Sequence, residues 1–262
     1  MSNKTLVIMI VALLFIFFGA VVFIQMRNNN TEESMNKYSE DKSQSQPNTS
    51  DPSEELSQPP VAQPENSSPA TSAPVATGEC KRNFDENKLQ TAKVNIQNRT
   101  VEMVVKDFGT IQLEFYNKDA PKTVENFLRL ANSGYFDCLT FHRVAKGFVI
   151  QGGDPSGNGS GGVSAFGAKF EDELNPETPS YKAGYLKGVL AMANSGPNTN
   201  GSQFFIMLGD VSLNHAYTIF GKVTKGLDVV DKIGKVQIVP QMGPEDGAPV
   251  KTVVMQSVKI TK

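Results

Sequence analysis

Hydrophobic and polar positions divide the chain into three unlike stretches. From Leu6 to Ile24 every residue is apolar, with Lys4 before the run and Arg27 after it. At 1.5 Å per residue a helix over this run spans about 28 Å, close to the hydrocarbon thickness of a bilayer. A cleaved signal peptide is the competing expectation. Its apolar core is normally about 7–15 residues and ends at a small-x-small site, which Val21 to Met26 does not supply. The pattern predicts a membrane anchor over residues 1–27 with a transmembrane helix at 6–24. Basic residues on both flanks set its orientation only weakly. The expected arrangement is N-terminus inside, with the folded domain extracytoplasmic.

Residues 28–94 follow as a polar tract. As far as Glu79 it is dominated by Ser, Pro, Asn, Gln, Thr and Glu and nearly lacks aromatic residues. Such a composition buries too little apolar surface to offset its ordering entropy, so a disordered tether is expected, with a root-mean-square reach of about 40 Å. Cys80 to Val94 is a charged lead-in to which the pattern assigns no structure.

From Asn95 to Lys262 the periodicity changes again. Val101–Lys106 and Thr110–Phe115 flank the turn residues Asp107-Phe108-Gly109 and predict a hairpin. In its second arm Ile111, Leu113 and Phe115 alternate with polar neighbours, as in a half-buried strand. Pro121 to Asn132 predicts a helix with Pro121 in its first turn, Gly134 beyond its end, and Val124, Phe127, Leu128 and Ala131 on its apolar face. Further strands are expected at Thr140–Val144, Phe148–Gln151, Val189–Ala193, Phe204–Leu208, Thr218–Val223 and Thr252–Ile260, and a short helix at Leu227–Ile233. Many short strands with two helices predict a mainly β fold. The expected form is a closed eight-stranded antiparallel β-barrel capped by two α-helices, because closure removes unpaired edges.

Composition adds mostly exclusions. A net charge of −2 gives no basic footprint for nucleic acid. The chain has 2 cysteines, Cys80 and Cys138, which excludes a disulfide-rich scaffold and a cysteine zinc site. Two unpaired thiols are the simpler expectation; a single disulfide is the alternative outside the cytosol. Gly157, Gly159 and Gly162 satisfy G-x-G-x-x-G, but no helical period follows, so a glycine-rich surface loop is expected instead of a dinucleotide site. Neither a nucleophile elbow nor a phosphate loop occurs. His142 and His215 lack metal-ligand spacing with acids or cysteines. Glu171-Asp172-Glu173 reads as a solvated charge cluster.

Two dense segments remain: FHRVAKGFVIQGGD from Phe141 to Asp154, and MANSGPNTNGSQFF from Met192 to Phe205. They closely resemble the signature segments of the cyclophilins. The hairpin, the APKTVENF helix and the IFGKV strand match that family in order and spacing. The resemblance covers about Val101 to Lys262. It implies an eight-stranded barrel and peptidyl-prolyl cis/trans isomerase activity on proline-containing polypeptides, with no cofactor and no metal, in a monomeric catalytic domain. Residue by residue, it places the catalytic arginine on Arg143 and the proline-pocket aromatics on Phe148 and Phe205. The paired glutamines fall on Gln151 and Gln203, the backbone-binding pair on Ala193 and Asn194, and a pocket leucine on Leu213. There are departures. Val149 replaces the pocket methionine and Tyr217 a frequent histidine. Ser212 stands where cyclosporin-sensitive members carry tryptophan, so tight inhibition is not implied. Asn175 to Tyr185 is longer than in compact members.

These residue types suit the implied reaction. Rotation about an X-Pro amide is opposed by a barrier of about 18–20 kcal/mol and breaks no bond. An arginine offers a permanently charged fork of donors. A bond to the prolyl nitrogen that strengthens only as the amide twists would be differential binding. An apolar slot would hold the ring. The same slot could serve a non-catalytic proline-binding module or chaperone; retention of Arg143 favours the enzyme.

Overall fold

The computed structural model describes residues 80–91 and 93–262. Ten strands form one antiparallel sheet: β1 (Thr100–Val105), β2 (Gly109–Phe115), β3 (Phe141–Ala145), β4 (Val149–Gly152), β5 (Val189–Met192), β6 (Phe204–Met207), β7 (Ile219–Lys225), β8 (Ile238–Gly243), β9 (Asp246–Pro249) and β10 (Met255–Ile260). The helices are α1 (Glu86–Thr91), α2 (Pro121–Asn132), α3 (Pro179–Ala183) and α4 (Leu227–Ile233).

The sheet corrects the expected closed eight-stranded barrel. Its order is β10-β1-β2-β7-β5-β6-β4-β3-β9-β8, open at both ends. The reason is local to β3. Val144 and Ala145 on its outer edge pair with β9, while Thr140, just before it, reaches Val254 through an isolated bridge. The β8–β9 hairpin therefore takes the end of β3, and contact with the chain entering β10 is confined to residues 138–141. Pro240, Gly243, Pro244 and Pro249 are turn signals, so the sequence pattern predicts no strand here.

Register explains why β3 to β6 read as nearly continuous apolar runs. Val144, Ile150, Ile206 and Leu190 face the main core, which also holds Phe127, Phe136, Phe204 and Phe220. The alternate residues face outward but are covered as well. Ala145, Val149, Phe205, Met207, Ala191 and Ile219 form a second, smaller apolar cluster. Directly opposed residues of antiparallel strands share a face. The row Arg143↔Gln151↔Phe205↔Ala191↔Ile219 thus runs across β3, β4, β6, β5 and β7 on that outer face.

Helix α2 buries Val124, Phe127, Leu128 and Ala131 as its periodicity predicts. Its N-terminus is satisfied from a distance. The Glu173 carboxylate accepts the Lys122 N–H at 3.1 Å and the Thr123 N–H at 2.8 Å, placing a negative charge at the positive end of the helix. Asp172 accepts the Asn198 N–H at 2.8 Å and the Asn200 side-chain amide at 2.7 Å. Two members of the expected charge cluster are therefore structural, and Glu171 pairs with Lys122 at 2.7 Å.

The lead-in is ordered. Asp85 caps α1 by accepting the Lys88 N–H at 2.9 Å, and Leu89 is buried in the main core. Arg82 donates from Nε to the Tyr135 carbonyl at 3.0 Å and lies 4.6 Å from the Tyr135 ring centroid. Cys80 and Cys138 form a disulfide with 58 residues of sequence separation, correcting the expectation of free thiols. A segment this short carries no periodic signal, which is why the sequence left it unassigned.

The anchor expected at 6–24, and the tether as far as Glu79, lie outside the described residues. Among the described residues no helix is long and apolar enough to cross a membrane. The anchor, the membrane as a partner and the extracytoplasmic placement built on them therefore find no support among the described residues. They rested on the hydropathy of that one run.

Candidate active site

Arg143 sits on β3 with its side chain mostly buried, at 12% exposure. Its Nη1 donates to Gln151 Oε1 at 3.0 Å. Gln151 Nε2 donates to Gln203 Oε1 at 3.0 Å. Gln203 Nε2 donates to the carbonyls of Gly159 and Gly161, each at 2.8 Å. Both ends dictate this order. Arginine can only donate, so Gln151 must present its oxygen to it; main-chain carbonyls can only accept, so Gln203 must present its nitrogen to them. The direction of both amides is fixed, and Arg143 is held at one end of a polar relay.

The far end of the relay is the glycine-rich loop. Asp154, buried at 1% exposure, organises it by accepting the N–H groups of Ser156 at 2.8 Å, Asn158 at 3.1 Å and Gly159 at 2.7 Å. The segment that mimics a dinucleotide motif is thus a loop folded around one carboxylate, and its carbonyls anchor Gln203.

Beside the relay lies an apolar cluster. Val149 and Phe205 are buried, and Phe148, Ala193, Leu213 and Tyr217 pack partly buried against the same cluster. The Phe205 and Tyr217 rings meet edge to face at 5.6 Å. Burial pushes the Tyr217 phenol above its ordinary 10.0, and the Arg143 charge pulls it partly back, so the two lie within electrostatic reach. Asn194 is committed to its own loop: its Nδ2 donates to the Ala216 carbonyl at 2.9 Å, and its Oδ1 accepts the Gly196 N–H at 3.2 Å. The structure thus gathers the apolar site residues into one cluster beside the Arg143 relay. Ser212 is exposed.

Three contributors escaped the sequence reading. Asp246, on β9, accepts both Arg143 Nε at 2.8 Å and Nη2 at 2.6 Å. It lies 103 residues from Arg143 in sequence, and no spacing could reveal it. The Tyr185 hydroxyl donates to the Tyr217 carbonyl at 2.8 Å and accepts the Tyr217 N–H at 3.2 Å. The segment ending at Tyr185 therefore braces Tyr217 against the apolar cluster. Within that segment Tyr181 stacks on His215 at 3.8 Å.

His142, next to Arg143 at the irregularity in the β3–β4 pairing, is buried at 8% exposure. Neither ring nitrogen has a hydrogen-bond partner among the described residues. Burial lowers its pKa from 6.5 to about 4, against an opposing pull from Asp154. The unfolded chain takes up a proton below pH 6.5 and the folded one does not until about 4, so stability falls as pH drops through that interval. The loss attributable to His142 is about 3 kcal/mol at most. Denaturant unfolding at a series of pH values should show this slope in the wild type. It should be reduced by that amount in His142→Phe; parallel curves would contradict the assignment.

This arrangement has known relatives. Residues 100–260 match the family model described as cyclophilin type peptidyl-prolyl cis-trans isomerase. The chain is 51% identical over 130 residues to peptidyl-prolyl cis-trans isomerase CYP18-2 of Arabidopsis thaliana, covering 49% of this chain and 77% of that protein. It is 50% identical over 139 residues to human peptidyl-prolyl cis-trans isomerase-like 1, covering 53% and 81%. Among solved structures, a Cryptosporidium parvum cyclophilin type peptidyl-prolyl cis-trans isomerase superimposes with a TM-score of 0.56 at 35% identity, covering 63% of this chain and 98% of that one. With the family model matched across most of the sheet and relatives about half identical over the same region, the chain belongs to the cyclophilin-type peptidyl-prolyl isomerases and catalyses cis/trans isomerisation of X-Pro bonds in polypeptide substrates.

Proposed function

We propose that isomerisation here is non-covalent, with Arg143 as the donor to the prolyl nitrogen and Phe148, Val149, Phe205, Leu213 and Tyr217 as the slot for the proline ring. The supporting observation is the relay. Three of the five arginine N–H groups are held by Gln151 and Asp246, leaving one on each Nη for a substrate. A guanidinium already oriented loses little freedom when the transition state forms, so its bond can strengthen as the amide twists. The mostly buried setting strengthens that bond further. Gln151 and Gln203 set the orientation of Arg143. Ala193 and Asn194 hold the substrate main chain through their own, the Asn194 amide being committed to its loop. A solved relative was crystallised in the presence of the dipeptide Ala-Pro, a fragment of the size this slot would take.

In this mechanism no group titrates near neutrality. Arginine stays charged, and His142 stays neutral because its pKa is held at about 4. Catalysed X-Pro exchange should therefore be nearly flat between pH 6 and 8. A rate changing tenfold across that range would identify a titrating catalyst and overturn the assignment.

A further inference from the structure

We propose that Asp246 is a positioning residue for the isomerisation, holding the guanidinium plane of Arg143 from the β8–β9 hairpin. This inference rests on the reading of Arg143 as the catalytic donor. The two Asp246 oxygens meet Nε and Nη2 at 2.8 and 2.6 Å, a fork-to-fork pair that fixes a plane as well as a distance. Gln151 alone touches only Nη1 and leaves the guanidinium free to swing about that contact. The pair is largely withdrawn from solvent, at 12% and 21% exposure.

The hairpin is built to hold that carboxylate. Asp246 pairs with Ala145 and Gly247 with Val144, so Asp246 lies diagonal to Arg143 on the outer face of the sheet. Next to it, the Lys146 N–H donates to the Glu245 carbonyl at 2.9 Å, and Lys146 Nζ pairs with the Glu245 carboxylate at 2.9 Å. A side chain at Gly247 would run into the Val239 carbonyl, so β8 and β9 approach as closely as their backbones allow. The hairpin paired to the end of β3 thereby becomes one wall of the Arg143 site.

The test combines catalysed exchange, peptide affinity and a double-mutant cycle on the full chain. Asp246→Ala should lower the exchange rate roughly tenfold through misplacement of the guanidinium, with the dissociation constant of an X-Pro peptide changed less than twofold. Asp246→Asn keeps the side-chain volume and one acceptor, serves if the alanine variant does not fold, and should lie between alanine and wild type. In an Arg143→Ala background the Asp246 substitution should have no further effect on rate. The inference is overturned if both Asp246 variants keep the wild-type rate within twofold, or if their effect persists undiminished without Arg143. If Arg143→Ala itself leaves the rate unchanged, the donor reading fails instead.

Discussion

Arg143→Ala is expected to slow catalysed X-Pro exchange by roughly 10- to 150-fold. That range follows from the worth of one charge-assisted hydrogen bond, about 1.5–3 kcal/mol, converted at about 1.4 kcal/mol per tenfold. Arg143→Lys should lie nearer to alanine than to wild type. A lysine keeps the charge but cannot span both Asp246 oxygens and Gln151 at once, because it lacks the planar fork. A peptide isomerisation assay on the three proteins checks this, with circular dichroism to establish that each is folded. A lysine variant with the wild-type rate would mean that charge alone suffices and that the relay is incidental.

Opening the Cys80–Cys138 disulfide should have the largest effect on stability. The bridge closes a loop of 58 residues, and chain-entropy reasoning values such a closure at roughly 4 kcal/mol in the unfolded state. Reduction, or the double change Cys80→Ser and Cys138→Ser, should lower the unfolding free energy by about 2–4 kcal/mol. The loss includes docking of the lead-in, whose Arg82 and Leu89 pack onto Tyr135 and the main core. Neither cysteine belongs to the Arg143 relay or to the apolar cluster of the slot, so exchange at low temperature should persist. Denaturant melts with and without reductant decide the point; coincident curves would contradict it.

What the sequence revealed follows from the reach of each signal. Helix α2 was legible because its 12 residues carry an apolar face and a proline at the start. Strands β3 to β6 were legible because both faces are covered, giving short apolar runs, and the two motif segments placed Arg143, Gln151, Gln203 and Phe205. The misses have physical causes. The β8–β9 hairpin carries three prolines and two glycines in and between its strands, chemistry that marks turns, so its pairing to β3 and the open sheet order went unseen. Asp246 and Glu173 act across long sequence separations, where periodicity is silent. A disulfide between two isolated cysteines depends on their proximity in space. The anchor expected from Leu6–Ile24 rests on hydropathy alone and finds no support among the described residues.

The account turns on Arg143 as an oriented donor to the twisted amide. Magnetisation-exchange spectroscopy on an X-Pro peptide, run with wild type and Arg143→Ala at enzyme concentrations well above the dissociation constant, tests it most directly. The account predicts comparable peptide affinity in both proteins and bound-state exchange slowed at least tenfold in the variant. Equal exchange rates, with the variant folded and the peptide bound, would contradict it.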